Sequence, residues 1–538
     1  MTNLLEKTIA FFAPSWARKR TEERLKTKAF DSVYRAGSRT SRKMRKYTPY
    51  LSPQDISQGE RDTIQARAQD AYDNQELAKA AVKRVRNSSV GVGLRVQSKP
   101  LIDFLGWSRE QGEDTARLIE REFSFWSNSV ECDVERESKF SEIQAIAQIC
   151  SLVAGDVLVN TAFIRRNGSP YGTKVQLIDA ARLRNKNYSP NSASLNNGVV
   201  LDSLGAPLAY HILQAHPSDN AQFAKRNTWA TLRAFGVATG IQRAWLVHEK
   251  ERAGQKRGVS FLAPILEKLV ELDRYSEAEI SAAVIAACQT LNVFVDDPNQ
   301  AGTPSMGTET AAEQERNEVT IAPGAINTFN ANDRIEAFNP GRPNINYDPF
   351  VLSIYKQIGA ALGLPMEFMI LHFQSSYSAS RAAILQAWEQ IKIHRKIMVD
   401  KFCQPIYEIF IDELVASGVL KIANYSDFRV RAAVTRASWE GPAMAALDPV
   451  KQANASRILI ETGISTRQIE SEKIGNGDIA DITAQLGQER RGREAEGLRN
   501  ISEKDSTRKV DENTENTEQK DSSQNSEQGD EDKKEEGE

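Results

Sequence analysis

SRAAILQAWEQIKIHRKIMVDKFCQPIYEIFIDELVA, residues 380–416, carries one helical period without interruption. Ile384, Trp388, Ile391, Met398, Phe402, Ile406, Phe410 and Leu414 follow one another at spacings of three, four or seven, which puts them on one side of a helix. At the rise of an α-helix such a rod would approach ~50 Å. Pro405 lacks a backbone donor and predicts a kink in the second half. Arg381, Lys392, Arg395, Lys396 and Lys401 decorate the other faces.

Upstream of the rod, Gly363 to Ala379 contains Leu364-Pro365 and Ser375-Ser376-Tyr377-Ser378 and is expected to break regular structure. A helix is expected from Asp348 to Leu362. Residues 296–318 form a polar, Gly/Pro-rich insertion, followed by strand-like pieces at Val319–Ile321 and Arg334–Phe338. A long helix is predicted from Ser260 to Leu291, with Ser260 as N-cap and Pro264 in the first turn, where a missing N–H costs nothing. Its apolar stripe runs from Ile265, Leu266, Leu269 and Leu272 to Ile280, Val284 and Leu291.

Further towards the N-terminus, Ser57 to Asn87 reads as one strong helix, after which Gly91-Val92-Gly93 turns the chain into a strand. Helical periods return at Asp114–Trp126 and Ser141–Val153. Short β-rich runs then take over at Asp156–Ile164, Val175–Ile178 and Ala209–Ile212, with another at Trp245–His248. A basic turn (Lys250, Arg252, Lys256, Arg257) leads into the helix at Gly258. Downstream of the rod, Phe428–Val434 looks β-like, and Asp448–Glu461 looks like a helix stopped by Gly463. The fold class is α+β, multidomain, with long helices and small β regions.

The 538 residues leave room for several packed units, and 26% charged residues with 40% hydrophobic ones can bury a sizeable core. A mean hydropathy of −0.48 nevertheless places some segments outside any core. The net charge of −3 is polarised: residues 1–50 hold 13 Lys or Arg against 4 acids, and residues 501–538 hold 14 acids against 6 bases. The basic stretch Arg18–Lys46 reads as a solvated arm or as a phosphate contact. After residue 500 the only aliphatic side chains are Ile501 and Val510, so the tail cannot offset its ordering entropy and is expected to be disordered. Cys132, Cys150, Cys288 and Cys403 are far apart, as reduced buried thiols would be. No run of 18 apolar residues and no apolar signal core occurs, so a cytosolic protein without membrane contact is expected.

Catalytic chemistry is hard to place. There is no GxxxxGK[ST] phosphate cradle, and Gly91/Gly93 precedes a strand without the third glycine of a dinucleotide site. The five histidines are scattered, and His248-Glu249 lacks a second histidine one helical turn on, so neither a metal nor a cofactor is expected. Asp296-Asp297 and Asp511-Glu512 lie in polar stretches where solvated charge is the commoner meaning. A non-enzymatic role gains weight. Two other classes stay open, a metal-dependent DNA-processing enzyme with an unfamiliar acidic site and a scaffold protein that binds partners through its charged ends.

The order of several motifs resembles the lambda-like family of tailed-bacteriophage portal proteins from about residue 35 to about 490. The pieces are Asn87 to Leu94, Phe125-Trp126 with Cys132-Asp133, Ala154-Gly155-Asp156 to Val159, and Gly258 to Pro264. Gly363-Leu364-Pro365, Tyr377 to Ala383, Trp439 to Pro442 and Asp448 to Lys451 follow in family order, with Ser378-Ala379-Ser380-Arg381 departing from the usual Ser-Ser-Ala-Arg-Ala. The resemblance implies a homododecameric ring at one capsid vertex of the virion, assembled in the host cytoplasm. Such a ring passes double-stranded DNA without sequence preference. Its implied partners are scaffold, the major capsid protein, the terminase large subunit and head-completion or tail connector proteins.

Carried onto this chain, the resemblance divides it into a basic arm (1–49), a wing (50–259), a stem helix (260–291), a clip (292–347) and a second stem helix (348–364). A tunnel loop (365–379), a long kinked wing helix (380–429), a crown (430–496) and an acidic tail (497–538) follow. The channel loop would present Phe373, Gln374, Ser375, Ser376 and Tyr377 to the DNA backbone through hydroxyl and amide groups. Arg381, Lys392, Arg395 and Lys396 are the candidate phosphate contacts.

Overall fold

The computed structural model describes residues 52, 56–287, 291–294, 326–329, 344, 346–372, 377–444, 449–475 and 479–496. The basic arm, the insertion at 296–318, the strand pieces at 319–321 and 334–338, loop residues 373–376 and the acidic tail lie outside that set.

The chain enters through α1 (Gln58–Asn74) and α2 (Glu76–Ser89), where one continuous helix was expected. They part at Gln75, which is extended (φ −108°, ψ 125°), and its side chain donates to Asp273 at 2.7 Å. Ser57 caps α1 by accepting from the Glu60 amide. Strand β1 (Arg95–Ser98), a single turn α3 (Ile102–Leu105), α4 (Arg109–Ser127) and α5 (Phe140–Val153) follow. Ser108 and Gln111 close a reciprocal capping box at the start of α4.

The β-rich region makes two small sheets. In the first, β2 (Val157–Phe163) lies antiparallel between β3 (Thr173–Ile178) and β8 (Ala244–Val247). The second is the meander β4 (Leu195–Asn196), β5 (Val199–Leu201), β6 (Pro207–Leu213) and β7 (Trp229–Arg233). Leu158, Ile178, Leu183, Tyr210, Ile212 and Leu246 bury a shared core between them.

The next helix begins later than its sequence suggests. Ser260 accepts from the Leu262 amide at 3.1 Å, Ala263–Ile265 forms one 3-10 turn around Pro264, and α6 proper is Leu266–Ala287. It also ends before Leu291, because β9 (Leu291–Phe294) is a strand paired in parallel with β10 (Ile326–Phe329). After α7 (Tyr347–Leu362), Gly363 at φ +67° ends the helix. The following stretch, expected to be irregular, contains the short helix α8 (Met366–Ile370).

The long rod is present but is not a kinked α-helix of one kind. It consists of α9 (Tyr377–Met398), a π segment (Val399–Cys403) and α10 (Gln404–Ala416). Pro405 has no N–H for the Lys401 carbonyl, and that carbonyl instead accepts from the Trp245 indole at 2.6 Å. A π turn carries one extra residue, which lets the rod absorb the proline while keeping Met398, Phe402, Cys403 and Ile406 fully buried.

Phe428–Val434, read as β-like, is helix α11. Asp427 caps it by accepting from the Arg429 amide at 2.8 Å, and Arg431 grips both carboxylate oxygens of Asp412 on α10 at 2.8 and 3.0 Å. The strand is the next segment, β11 (Ala437–Glu440), antiparallel to β1 with Trp439 opposite Val96. Helices α12 (Pro449–Glu461), α13 (Arg467–Ile474) and α14 (Ile479–Ala495) complete the described chain, with Gly463 at φ +73° after α12.

Two further cores organise the whole. One is aromatic: Phe123, Trp126, Phe140, Phe402, Tyr407 and Phe410 meet edge-on, tilted or stacked at ring separations such as 5.4 Å for Phe123–Tyr407. The other lies along α1, α2, α6, α7, α8 and the N-terminal half of the rod, through Ala78, Val82, Leu269, Ile358, Met369 and Ile391. The rod passes from one core to the other near the end of α9, between Ile391 and Met398, and the π segment that follows lies in the aromatic core.

Candidate functional site

The motifs that stand apart in sequence meet in pairs. Asp156, wholly buried at the start of β2, accepts from Arg257 Nε at 2.6 Å and Nη2 at 2.9 Å, and from the Gly258 amide at 2.9 Å. The remaining guanidinium donors of Arg257 go to the carbonyls of Asn197 (2.7 Å), Ala180 (3.2 Å) and Leu183 (3.3 Å). Within the basic turn, Arg257 is thus turned inward and only 2% exposed. Burial alone would raise the Asp156 carboxyl, but the Arg257 charge and its hydrogen bonds hold it below the ordinary range.

Arg61 of α1 donates to the Gly258 carbonyl at 2.5 Å, and burial with Arg257 nearby lowers its pKa to about 10. Backbone contact fixes the arrangement. Gly155 has φ +92°, and a Cβ there would stand 2.5 Å from the Val259 carbonyl carbon, so the Ala154-Gly155-Asp156 and Arg257-Gly258-Val259 segments touch main chain to main chain.

A second knot joins the Asn87–Leu94 and Trp439–Pro442 motifs. Arg395 Nε donates to the Ser89 carbonyl at 3.0 Å, and Nη2 to the carbonyls of Ser88 at 2.9 Å and Pro442 at 2.5 Å. Its guanidinium also lies 5.6 Å from the Trp388 ring, and burial lowers its pKa. A Cβ on Gly91 (φ +60°) would fall 2.3 Å from Pro442, which keeps the two motifs in register.

The Arg395 knot ties α9 to α2, the helix on which both flanks of the candidate channel loop pack. Leu364 and Met369 are buried beside α2, and α8 and α9, which flank the loop, both pack on that helix. Leu371 leaves α8 in the left-handed conformation at φ +56°. Of the predicted loop residues, Phe373, Gln374, Ser375 and Ser376 lie outside the described residues, and Tyr377 is the first residue of α9. Among the predicted phosphate contacts, Arg381 is exposed. Lys392 pairs with Glu389 at 2.6 Å and Lys396 with Asp400 at 2.7 Å, both exposed. Arg395 keeps only Nη1 uncommitted, so its main work is to hold α9 against α2.

The described residues offer little for catalysis. No three His, Cys, Asp or Glu side chains among them come together as metal ligands. Burial lowers His248 and His394 to about 4 and leaves them neutral near pH 7. Burial pushes the Cys132 and Cys150 thiols up to about 12, far from thiolate chemistry. No described helix is long and apolar enough to cross a membrane. Asp156, Arg257 and Arg61 were not legible as a cluster in the sequence; the signal was that the motifs around Asp156 and Gly258 both stand in family order.

Residues 40–395 match the family model described as phage portal protein, lambda family. The chain is similar to portal protein B of Escherichia phage lambda, 24% identical over 459 residues that cover 81% of this chain and 84% of that one. It is also similar to the portal protein of Escherichia phage N15, 24% identical over 456 residues, 80% of this chain and 84% of that one. Among solved structures, a chain from the neck of an empty gene transfer agent particle is similar at a TM-score of 0.40 and 10% identity, covering 77% of this chain and 93% of that one.

Proposed function

The chain belongs to the lambda family of phage portal proteins, and from that membership we propose that it forms a homododecameric ring through which double-stranded DNA enters and leaves a viral head. The observation that carries this reading is the family match over residues 40–395. Physical features agree with it. Exposed apolar residues remain on both long helices, Ile280 (63%) and Val284 (55%) on α6 and Ile393 (49%) on α9, and a closed ring needs such faces to meet a neighbour. A near-neutral chain also suits a channel wall, because a dense field of Lys and Arg would hold phosphates instead of letting a duplex slide.

In this reading α6 and α7 are stem helices, residues 292–347 the clip, 50–259 most of the wing and 430–496 the crown. Residues 373–377 face the channel, with Arg381, Lys392 and Lys396 as the nearer phosphate contacts. The ring nucleates a shell with scaffold and capsid protein, receives the terminase, and later binds connector proteins of the tail.

The test replaces residues 373–377 by a Gly-Ser linker and follows assembly and packaging separately. Rings and heads are expected to form, with packaged DNA falling at least about tenfold, since the substitution leaves both knots intact. Cleavage of DNA by the purified chain with a divalent metal, or packaging indifferent to the loop, would contradict the proposal.

A further inference from the structure

A cleft of about 790 Å³ opens between α5, residues 249–264, the C-terminal end of α7 and the C-terminal half of α9. Every charged side chain lining it is a carboxylate: Glu249 and Glu251 stand there, and neither lysine nor arginine does. Lys401 donates to the His248 carbonyl at 2.5 Å and lies close enough to Glu249 to feel its charge, but neither it nor Lys250 nor Arg252 is in the lining. Gln148 and His394, 2% and 3% exposed, also line the cleft, and their Oε1 and Nε2 have no hydrogen-bond partner among the described residues. This is an acid-rimmed site with polar groups behind it, shaped for a cationic peptide.

The start of α1 lies beside this cleft. Val259 and Ser260 line both it and the small hollow that holds Ile56 and Arg61. Gln65 donates to the Ala154 carbonyl at 3.0 Å, so the first turns of α1 rest on the same backbone. Two charged segments of the chain lie outside the described residues, and they have opposite signs. The tail after residue 500 is acidic and would be repelled. Arg42-Lys43-Met44-Arg45-Lys46 is basic and ends ten residues before Ile56, a length of chain that reaches ~33 Å when extended.

We propose that the basic run Arg42–Lys46 docks in this cleft with its cations against Glu249 and Glu251, tying the N-terminal arm to the junction of α5 and α9. An arm held there is withdrawn from the DNA phosphates that its charge would otherwise seek. The docking does not depend on the ring.

Zero-length carbodiimide coupling of the purified full chain, read by peptide mass spectrometry, tests it. Links from Lys43 or Lys46 to Glu249 or Glu251 are expected, fading at ~0.5 M salt as exposed charges are screened. In the E249Q/E251Q variant, trypsin should cut at Arg42–Lys46 about three- to tenfold faster, the scale of one or two surface ion pairs. Links from these acids only to Lys250, to lysines outside 42–46, or to another segment of a second copy would overturn the proposal. So would unchanged cleavage. Ring mass measured on the same variant keeps the two readings apart, since an intact ring without the links defeats the docking alone.

Discussion

Removing the Asp156 carboxylate would leave Arg257 buried with its charge uncompensated, because its other partners are carbonyls. Breaking a fully buried pair from one side costs on the order of 3–5 kcal/mol, whereas replacing both partners by apolar groups costs much less. D156A is therefore expected to lose that much in a urea titration, and D156A/R257M to recover a good part of it. An equal loss in both variants would show that the knot holds through its backbone contacts at Gly155 and Gly258 and not through the charge pair. The same logic separates Arg395 from Lys392 and Lys396. The first is bound to three carbonyls, and the others are exposed and free to exchange their carboxylate partners for phosphate.

The rod formed by α9, the π segment and α10 makes a pH prediction. His394 on α9 is 3% exposed, packs edge-on against Phe261, and is lowered to about 4 by burial. Its folded pKa lies below the unfolded value of 6.5, so the unfolded chain binds the extra proton as pH falls. Stability from this group is present above pH 6.5 and is lost between 6.5 and about 4, on the order of 3 kcal/mol in all. His394→Leu should flatten that part of the pH profile in denaturant midpoints, and a profile as steep as wild type would place the titration elsewhere. The rod was legible because a helical period survives over 37 residues whatever lies around it. The π turn was not, because it depends on Trp245, 160 residues upstream of Pro405, taking the freed carbonyl of Lys401. Phe428–Val434 misled for a related reason: its Phe, Val and Val fit a strand, and the cap at Asp427 and the grip of Arg431 on Asp412 decide for a helix. Motif order in the sequence showed which segments matter, but only the fold shows that residues 154–156 meet 257–259 and that 87–94 meet 439–442.

At the scale of the molecule, the exposed apolar faces of α6 and α9 are surfaces that the proposed ring would cover with neighbouring copies. The described residues from 449 to 496 make the point most plainly. Their buried side chains are Ser456, Glu470 and Ser471, while Val450, Ile458, Ile464, Ile469 and Leu486 stand exposed. Three helices without a buried apolar residue of their own are stable only when something packs on them. Native mass spectrometry of the purified chain under assembly conditions, paired with a class-averaged view down the symmetry axis, tests this directly. Twelve copies of a 59.9 kDa chain predict a particle on the order of 700 kDa with a central opening wider than a duplex of ~20 Å. A monodisperse monomer under every assembly condition, with the exposed faces of α6 and α9 remaining solvent-accessible, would contradict it.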